Sequence, residues 1–181
     1  MAERDDRDFA AFAKAAGPSL RRTAYLMCGD WERAADITQE ALIRVYVAWP
    51  RLHERGLYAY ARRATMSAAV DQGRKRSSRE VPTLELVDAV SEDATGRVAE
   101  RALLLAALAD LPARQRACVV LRFYEDLSVE QVADVLGCRT GTVKSQTARG
   151  LVALRAAYAR HGGDLQVPDQ AFAATTQEVV P

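Results

Sequence analysis

Apolar residues return every three or four positions along most of this chain and nowhere alternate convincingly, a pattern that predicts helices and no sheet. The sharpest instance lies between Leu127 and Leu154. Ser128 can accept a backbone N–H bond and Gln131, three residues later, completes a capping box, so a short helix starts there. Val129, Val132, Ala133 and Leu136 recur at helical spacing, and Gly137 can take the positive φ that ends the helix in a sharp turn. A second helix follows at once, with Val143, Thr147, Leu151 and Leu154 along its inner stripe. Helices this close cross near Ala133, where a larger side chain would hold them apart, while Val143 plugs the space between them. Small residue, turn glycine and apolar plug together make the helix-turn-helix signature.

Such a unit lays its second helix in the DNA major groove with the N-terminal residues nearest the bases. With Val143 turned inward, a helical wheel leaves Gly141, Thr142, Ser145, Ala148 and Arg149 outward and Lys144 on the flank. Lys144 and Arg149 can neutralise phosphates or reach a guanine edge. Thr142, Ser145 and Gln146 can hydrogen-bond to phosphate or base, and Arg139 and Thr140 stand at the entry to the same helix.

Upstream, Phe9, Phe12, Ala13 and Ala16 form a stripe that is expected to stop at Gly17-Pro18, with Ser19 capping a new helix that ends at Gly29. Asp30 caps the next helix, Trp31 to Trp49. It turns Ala34, Ala35, Ile37, Ala41, Leu42, Val45, Tyr46 and Trp49 toward a core and Asp36, Gln39, Glu40 and Arg44 outward, and Pro50 closes it. Asp36 and Glu40 are a carboxylate pair one turn apart, which repels itself slightly unless a cationic surface faces it. A further helix from about Leu57 to Gln72 carries Tyr58, Tyr60, Arg62 and Arg63 and leads into Gly73-Arg74-Lys75-Arg76-Ser77-Ser78-Arg79. Aromatics interleaved with arginines suit the bases and phosphates of single-stranded nucleic acid.

Residues 77–96 read as an acidic, weakly ordered linker. An apolar helix from Arg97 to Asp110 breaks at Leu111-Pro112. The next, Ala113 to Tyr124, is expected to bury Ala117, Val120, Leu121 and Tyr124 and to leave Arg114, Arg116 and Arg122 for phosphates or a partner. Periodicity fades after about Tyr158, so 159–181 read as a flexible tail.

Charge sharpens this division. Across 181 residues the net charge is only +1, but residues 1–80 carry +4, 81–110 carry −4, 111–160 carry +4 and 161–181 carry −3. Two basic modules flanking an acidic connector suit a chain that grips a polyanion in two places. Three separated cysteines (Cys28, Cys118, Cys138) with two histidines offer neither a disulfide framework nor a zinc site, and Cys118 and Cys138 read as small buried hydrophobes. No metal or cofactor is expected. A Gly-rich phosphate loop and a nucleophile elbow are both missing, which sets an enzyme aside, and the lack of a long apolar run or leader points to the cytoplasm with no membrane contact.

Taken together, Asp36-Ile37-Thr38-Gln39-Glu40-Ala41-Leu42-Ile43-Arg44-Val45-Tyr46, Leu111-Pro112-Ala113-Arg114-Gln115-Arg116, Leu121-Arg122-Phe123-Tyr124-Glu125-Asp126-Leu127-Ser128 and Gly141-Thr142-Val143-Lys144-Ser145 resemble the extracytoplasmic-function (ECF) class of bacterial RNA polymerase sigma factors. Gly137-Cys138 followed by Gly141 to Thr147 is particularly similar to the actinobacterial SigE-type branch. The resemblance implies an all-α protein of two small helical domains joined by a flexible acidic linker. Residues 5–76 would be region 2, 77–96 the linker, 97–158 region 4 and 159–181 a tail.

The partners it implies are core RNA polymerase, through its β′ clamp helices and β flap, and promoter DNA, with room for an anti-sigma protein. Asp36, Gln39, Glu40 and Arg44 would hold the clamp, which supplies the cationic partner the carboxylates lack. Tyr60, Arg62, Arg63, Ser67, Asp71, Arg74, Lys75 and Arg76 would open and read the minus-10 element, and Arg139, Thr140, Thr142, Lys144, Ser145, Gln146 and Arg149 the minus-35 element. The linker would run through the RNA channel. Met66-Ser67 stands where many relatives have asparagine, Gln72-Gly73-Arg74-Lys75-Arg76 where they show tryptophan with arginines, and Gln146 where many carry arginine. The competing reading is a polymerase-independent helix-turn-helix regulator with the N-terminal helices as a sensor or dimerisation domain.

Overall fold

A computed structural model describes residues 6–76 and 94–163. These form seven α-helices with short 3-10 and π turns and, among the described residues, no strand. The chain divides into two units, Met1–Glu80 and Val81–Pro181. The expected linker lies outside the described residues up to Asp93, and the tail lies outside them from Asp164.

The first unit consists of α1 (Asp6–Cys28), α2 (Trp31–Ala48) and α3 (Leu57–Arg76), each packed on the other two. Gly29 at φ 71° turns the chain, and the Asp30 side chain accepts the Arg33 N–H at 2.9 Å to start α2. Leu20, Ile37, Val45 and Met66 are sealed among Ala24, Ala34, Ala41 and Ala61, whose small side chains let three helices approach closely. Buried Thr38 and Thr65 satisfy their hydroxyls by donating to the carbonyls of Ala34 (2.6 Å) and Ala61 (2.9 Å).

The expected break at Gly17-Pro18 does not occur: α1 runs through both residues. Pro18 forfeits one backbone bond, but Ala16, Leu20 and Ala24 keep a single buried stripe on both sides of it, and that packing outweighs the loss. Ser19 is therefore not a cap. Its hydroxyl instead shares a hydrogen bond with that of Tyr58 at 2.8 Å. Tyr46 is likewise not a core residue: it is exposed, with its ring edge-on to Phe9 at 4.9 Å and its hydroxyl donating to Asp6 at 3.0 Å, a bond that raises the phenol pKa.

The second unit is built around one long helix, α7 (Thr140–Arg160), against which α4 (Ala94–Ala109), α5 (Ala113–Val119) and α6 (Val129–Leu136) all pack. Helix α4 begins before the predicted Arg97; α7 outlasts the predicted Tyr158, its end fastened where Arg160 and His161 reach Asp110 at 3.0 and 3.2 Å. The helix expected over 113–124 ends as α at Val119 and continues as a π turn, Val120–Tyr124, in which the Glu125 N–H donates to Val120 O at 3.1 Å. This widened turn leaves Phe123 and Tyr124 exposed, so Tyr124 does not enter the core.

Two of the three arginines expected to reach phosphates or a partner make hydrogen bonds within the chain. Arg116 donates to the carbonyls of Ala109 (2.6 Å) and Leu111 (3.0 Å), closing the end of α4, and Arg122 donates to the Leu127 carbonyl. Arg114 stays exposed. Where α5 meets α7, a Cβ at Gly150 would stand 2.8 Å from Val119 Cγ2 and 3.1 Å from the Gln115 carbonyl oxygen. Gly150→Ala is therefore expected to destabilise this unit by about 1–3 kcal/mol, seen as an earlier urea transition by circular dichroism. An unchanged midpoint would mean that the two helices tolerate a wider spacing.

Candidate nucleic-acid interface

The local signals for the helix-turn-helix appear as atoms in the second unit. Ser128 Oγ accepts the Gln131 N–H at 3.2 Å while Gln131 Oε1 accepts the Ser128 N–H at 2.8 Å, a complete capping box. Gly137 takes φ 61° and the Cys138 N–H donates to the Ala133 carbonyl at 3.0 Å, so α6 ends in one turn. Ala133 is buried at the crossing and Val143 is fully enclosed, with Thr147, Leu151 and Leu154 continuing the inner stripe.

That stripe decides what is left outside. Arg139, Thr140, Gly141, Ser145 and Arg149 are exposed, and Thr142, Lys144 and Gln146 are half-buried. All seven predicted minus-35 residues thus lie on α7 or at its entry. Ser145 donates to the Thr142 carbonyl at 3.0 Å, which leaves its oxygen mainly as an acceptor. The Arg139 side chain makes no cap bond at the start of α7, while the Thr142 and Val143 N–H groups donate to the Arg139 carbonyl at 2.9 and 3.2 Å.

Glu130, in the first turn of α6, is the acidic neighbour of this surface. Its carboxyl is held below the usual range, first by its own backbone N–H, then by the Ser128 hydroxyl at 2.8 Å, with Lys144 and Arg122 adding attraction. A depressed carboxyl favours the folded form above its unfolded pKa, and the benefit is lost as pH falls through the folded value.

On α3, Tyr60, Arg63, Ser67 and Asp71 follow one another at helical spacing and are all exposed, so four of the predicted minus-10 residues share one stripe. Arg62 does not join them. It is half-buried, with its guanidinium 4.8 Å from the centre of the Tyr58 ring. Arg74, Lys75 and Arg76 form the final residues of α3.

On α2, Asp36 and Gln39 are exposed as expected, but Glu40 does not wait for a foreign cation: Arg44, one turn on, binds it at 2.5 Å. Sequence reasoning missed the apolar part of this face. Ile43 and Val47 are 56% and 75% exposed between the charged residues, an apolar centre with a polar rim. Their signal was present, since both fall off the inward stripe of α2. Beside them a groove of about 830 Å³ runs between α1 and α2, lined by Phe9, Pro18, Arg21, Trp31, Leu42 and Tyr46 among others. Arg21 bounds it, donating to the Trp31 carbonyl at 3.2 Å, and Trp31 stacks on Tyr25 at 4.0 Å. No group of three or more metal-ligating side chains occurs among the described residues.

The profile of Sigma-70 region 2 matches residues 12–79 and that of Sigma-70, region 4 matches residues 101–154. The RNA polymerase sigma-E factor of Streptomyces avermitilis is 38% identical over 156 residues, 86% of this chain and 87% of the relative. That of Streptomyces coelicolor is 38% identical over 149 residues, 82% and 84% of the two chains. Among solved structures, the sigma factor RpoE, crystallised with the anti-sigma factor NepR from Bartonella quintana, shares the fold with a TM-score of 0.65 at 23% identity. The match covers 83% of this chain and 96% of that one. The stand-alone regulator finds no support among these relatives, and the chain belongs to the sigma-70 family of RNA polymerase sigma factors, in its ECF group.

Proposed function

We propose that this sigma factor steers core RNA polymerase to promoters through three surfaces, each built on one helix, and a further contact of its C-terminal unit. The exposed strip of α2, with Asp36, Gln39, Glu40 and Arg44 around Ile43 and Val47, takes the β′ clamp helices, while the C-terminal unit meets the β flap. The stripe Tyr60, Arg63, Ser67 and Asp71, continued by Arg74, Lys75 and Arg76, engages the minus-10 element, and Arg62 joins only by leaving the Tyr58 ring. The outer face of α7 reads the minus-35 element. The acidic stretch between the units crosses the polymerase without adhering to DNA.

No bond changes on this protein. Binding energy from these surfaces offsets the few kcal/mol per step that unstacking the promoter costs. It acts in the cytoplasm, and among the described residues no helix is long and apolar enough to cross a membrane. An anti-sigma protein, the partner named for the Bartonella relative, would silence it by covering the same faces. The observation that carries this reading is the closed helix-turn-helix, whose buried Val143, Thr147 and Leu151 leave Arg139, Ser145 and Arg149 outward.

Lys144→Ala or Arg149→Ala is expected to weaken promoter binding by the holoenzyme about five- to tenfold and to lower the salt slope by about one, with core association unchanged. Fluorescence anisotropy on promoter DNA at matched salt checks this; equal affinity would remove the residue from the DNA interface. Charge reversal of Asp36 and Glu40 together is expected to reduce co-purification with core polymerase several-fold, Glu40→Lys also confronting Arg44 with a like charge. Undiminished capture would take the clamp off α2.

A further inference from the structure

In the second unit Cys118 is buried as expected, while Cys138, in the turn after α6, is only half-buried. The larger feature left unexplained is the groove between α1 and α2 in the first unit. Two poor helix formers, Gly17 and Pro18, stand side by side on its α1 wall. A glycine inside a helix is less stable there than alanine, and a proline forfeits a backbone bond. Crowding does not demand the glycine, because a Cβ at Gly17 would meet nothing within 4 Å. A local choice that the fold does not require points to a site, and here the pair keeps one wall of the groove low. Ala35 does the same on α2. The two ends of the groove differ. At one, Arg22 is exposed and Arg21 is held in place, its guanidinium donating to the Trp31 carbonyl at 3.2 Å and lying 5.4 Å from the centre of the Trp31 ring. At the other stand Phe9, Leu42 and Tyr46, and the Tyr46 hydroxyl donates to Asp6. Among the described residues that line the groove, none is acidic.

We propose that this groove binds a long-chain fatty acid, its carboxylate on Arg21 and Arg22 and its hydrocarbon chain running past Gly17 and Ala35 toward Phe9 and Leu42. The volume of about 830 Å³ is that of a small-molecule site, mostly apolar with a few charged groups at one place. From Phe9 to Arg22, α1 rises about 20 Å, a length that an extended hydrocarbon chain spans, and the low walls admit a slender chain lying lengthwise. Charge sets its direction. Two guanidinium groups receive a carboxylate at one end, and Asp6 at the other repels any second negative group, so the occupant has a single anionic head. Arg21 is preorganised for this: its bond to the Trp31 carbonyl fixes the guanidinium and leaves further N–H groups to donate. Gln39 and Ile43 also line the groove, so a bound fatty acid competes with core polymerase for α2. That consequence rests on α2 being the clamp-binding helix, whereas the binding itself does not.

The test titrates the full chain with myristate, kept below its aggregation threshold, by isothermal calorimetry. One saturable site of micromolar affinity is expected, and Arg22→Gln should weaken it about tenfold by removing a charge-assisted contact. Tetradecyltrimethylammonium, with the same chain and the opposite charge, should bind at least tenfold more weakly than myristate. Gly17→Leu should abolish binding by filling the groove while melting no earlier than the parent by circular dichroism, since the position is open and leucine favours the helix. Should that variant fail to fold, Arg22→Gln and the cationic amphiphile still decide. Myristate should also lower capture of core polymerase by the parent chain and leave capture by Gly17→Leu unchanged. Heat without saturation, equal affinity for the cationic amphiphile, or equal affinity in either variant would each overturn the proposal. So would Gly17→Leu losing core polymerase where myristate does not bind the parent, which would give the groove to the clamp. Binding without lowered capture supports the site and overturns the competition. Failure of the clamp assignment shows separately, as undiminished capture after charge reversal of Asp36 and Glu40.

Discussion

Everything the C-terminal unit shows to solvent depends on how firmly the inner stripe of α7 is held. Val143, Thr147 and Leu154, all buried, and Gly150 against Val119 leave the helix one way to face. A rotation by one residue would turn Val143 to water and bring Lys144 into the core, at a cost far above that of any single surface contact. The ends add to this constraint, with the Gly137 turn at one and the Asp110, Arg160 and His161 cluster at the other. The core thus fixes which face of α7 is presented to solvent.

The N-terminal unit meets its requirement differently. Alanines at the helix crossings bring α1, α2 and α3 together closely, and α2 can spend its remaining face on Ile43 and Val47 because the inner one already buries Ile37, Ala41 and Val45. The ion pair between Arg44 and Glu40 is exposed and adds little to stability. It shapes the polar rim around the apolar strip instead.

Much of this could be read from residue order because its causes are local. A capping box, a turn glycine and an apolar plug act within a few residues, and all three stand where they were expected. The failures share one feature: long-range packing overrode a local rule. Pro18 reads as a stop, yet α1 continues through it, packed against α2 and α3. Arg116 and Arg122 read as free for phosphates or a partner but serve carbonyls five to seven residues away, which no periodicity announces. Arg62 fell on the Tyr58 ring for a similar reason, and Tyr124 was ejected by a π turn that has no simple sequence signal. On α7, the helical spacing of inward and outward positions sufficed to collect one exposed stripe. On α2 the charged half was found and the apolar half missed, because exposed aliphatic side chains resemble core residues when only the pattern is in view.

The most direct measurement is run-off transcription by purified core polymerase on genomic fragments with and without this protein, with start sites mapped at single-nucleotide resolution. Discrete new starts preceded by paired elements at constant spacing, appearing only when the protein is present, are the predicted result. Core polymerase that binds the protein yet initiates at the same scattered sites as without it would contradict the account.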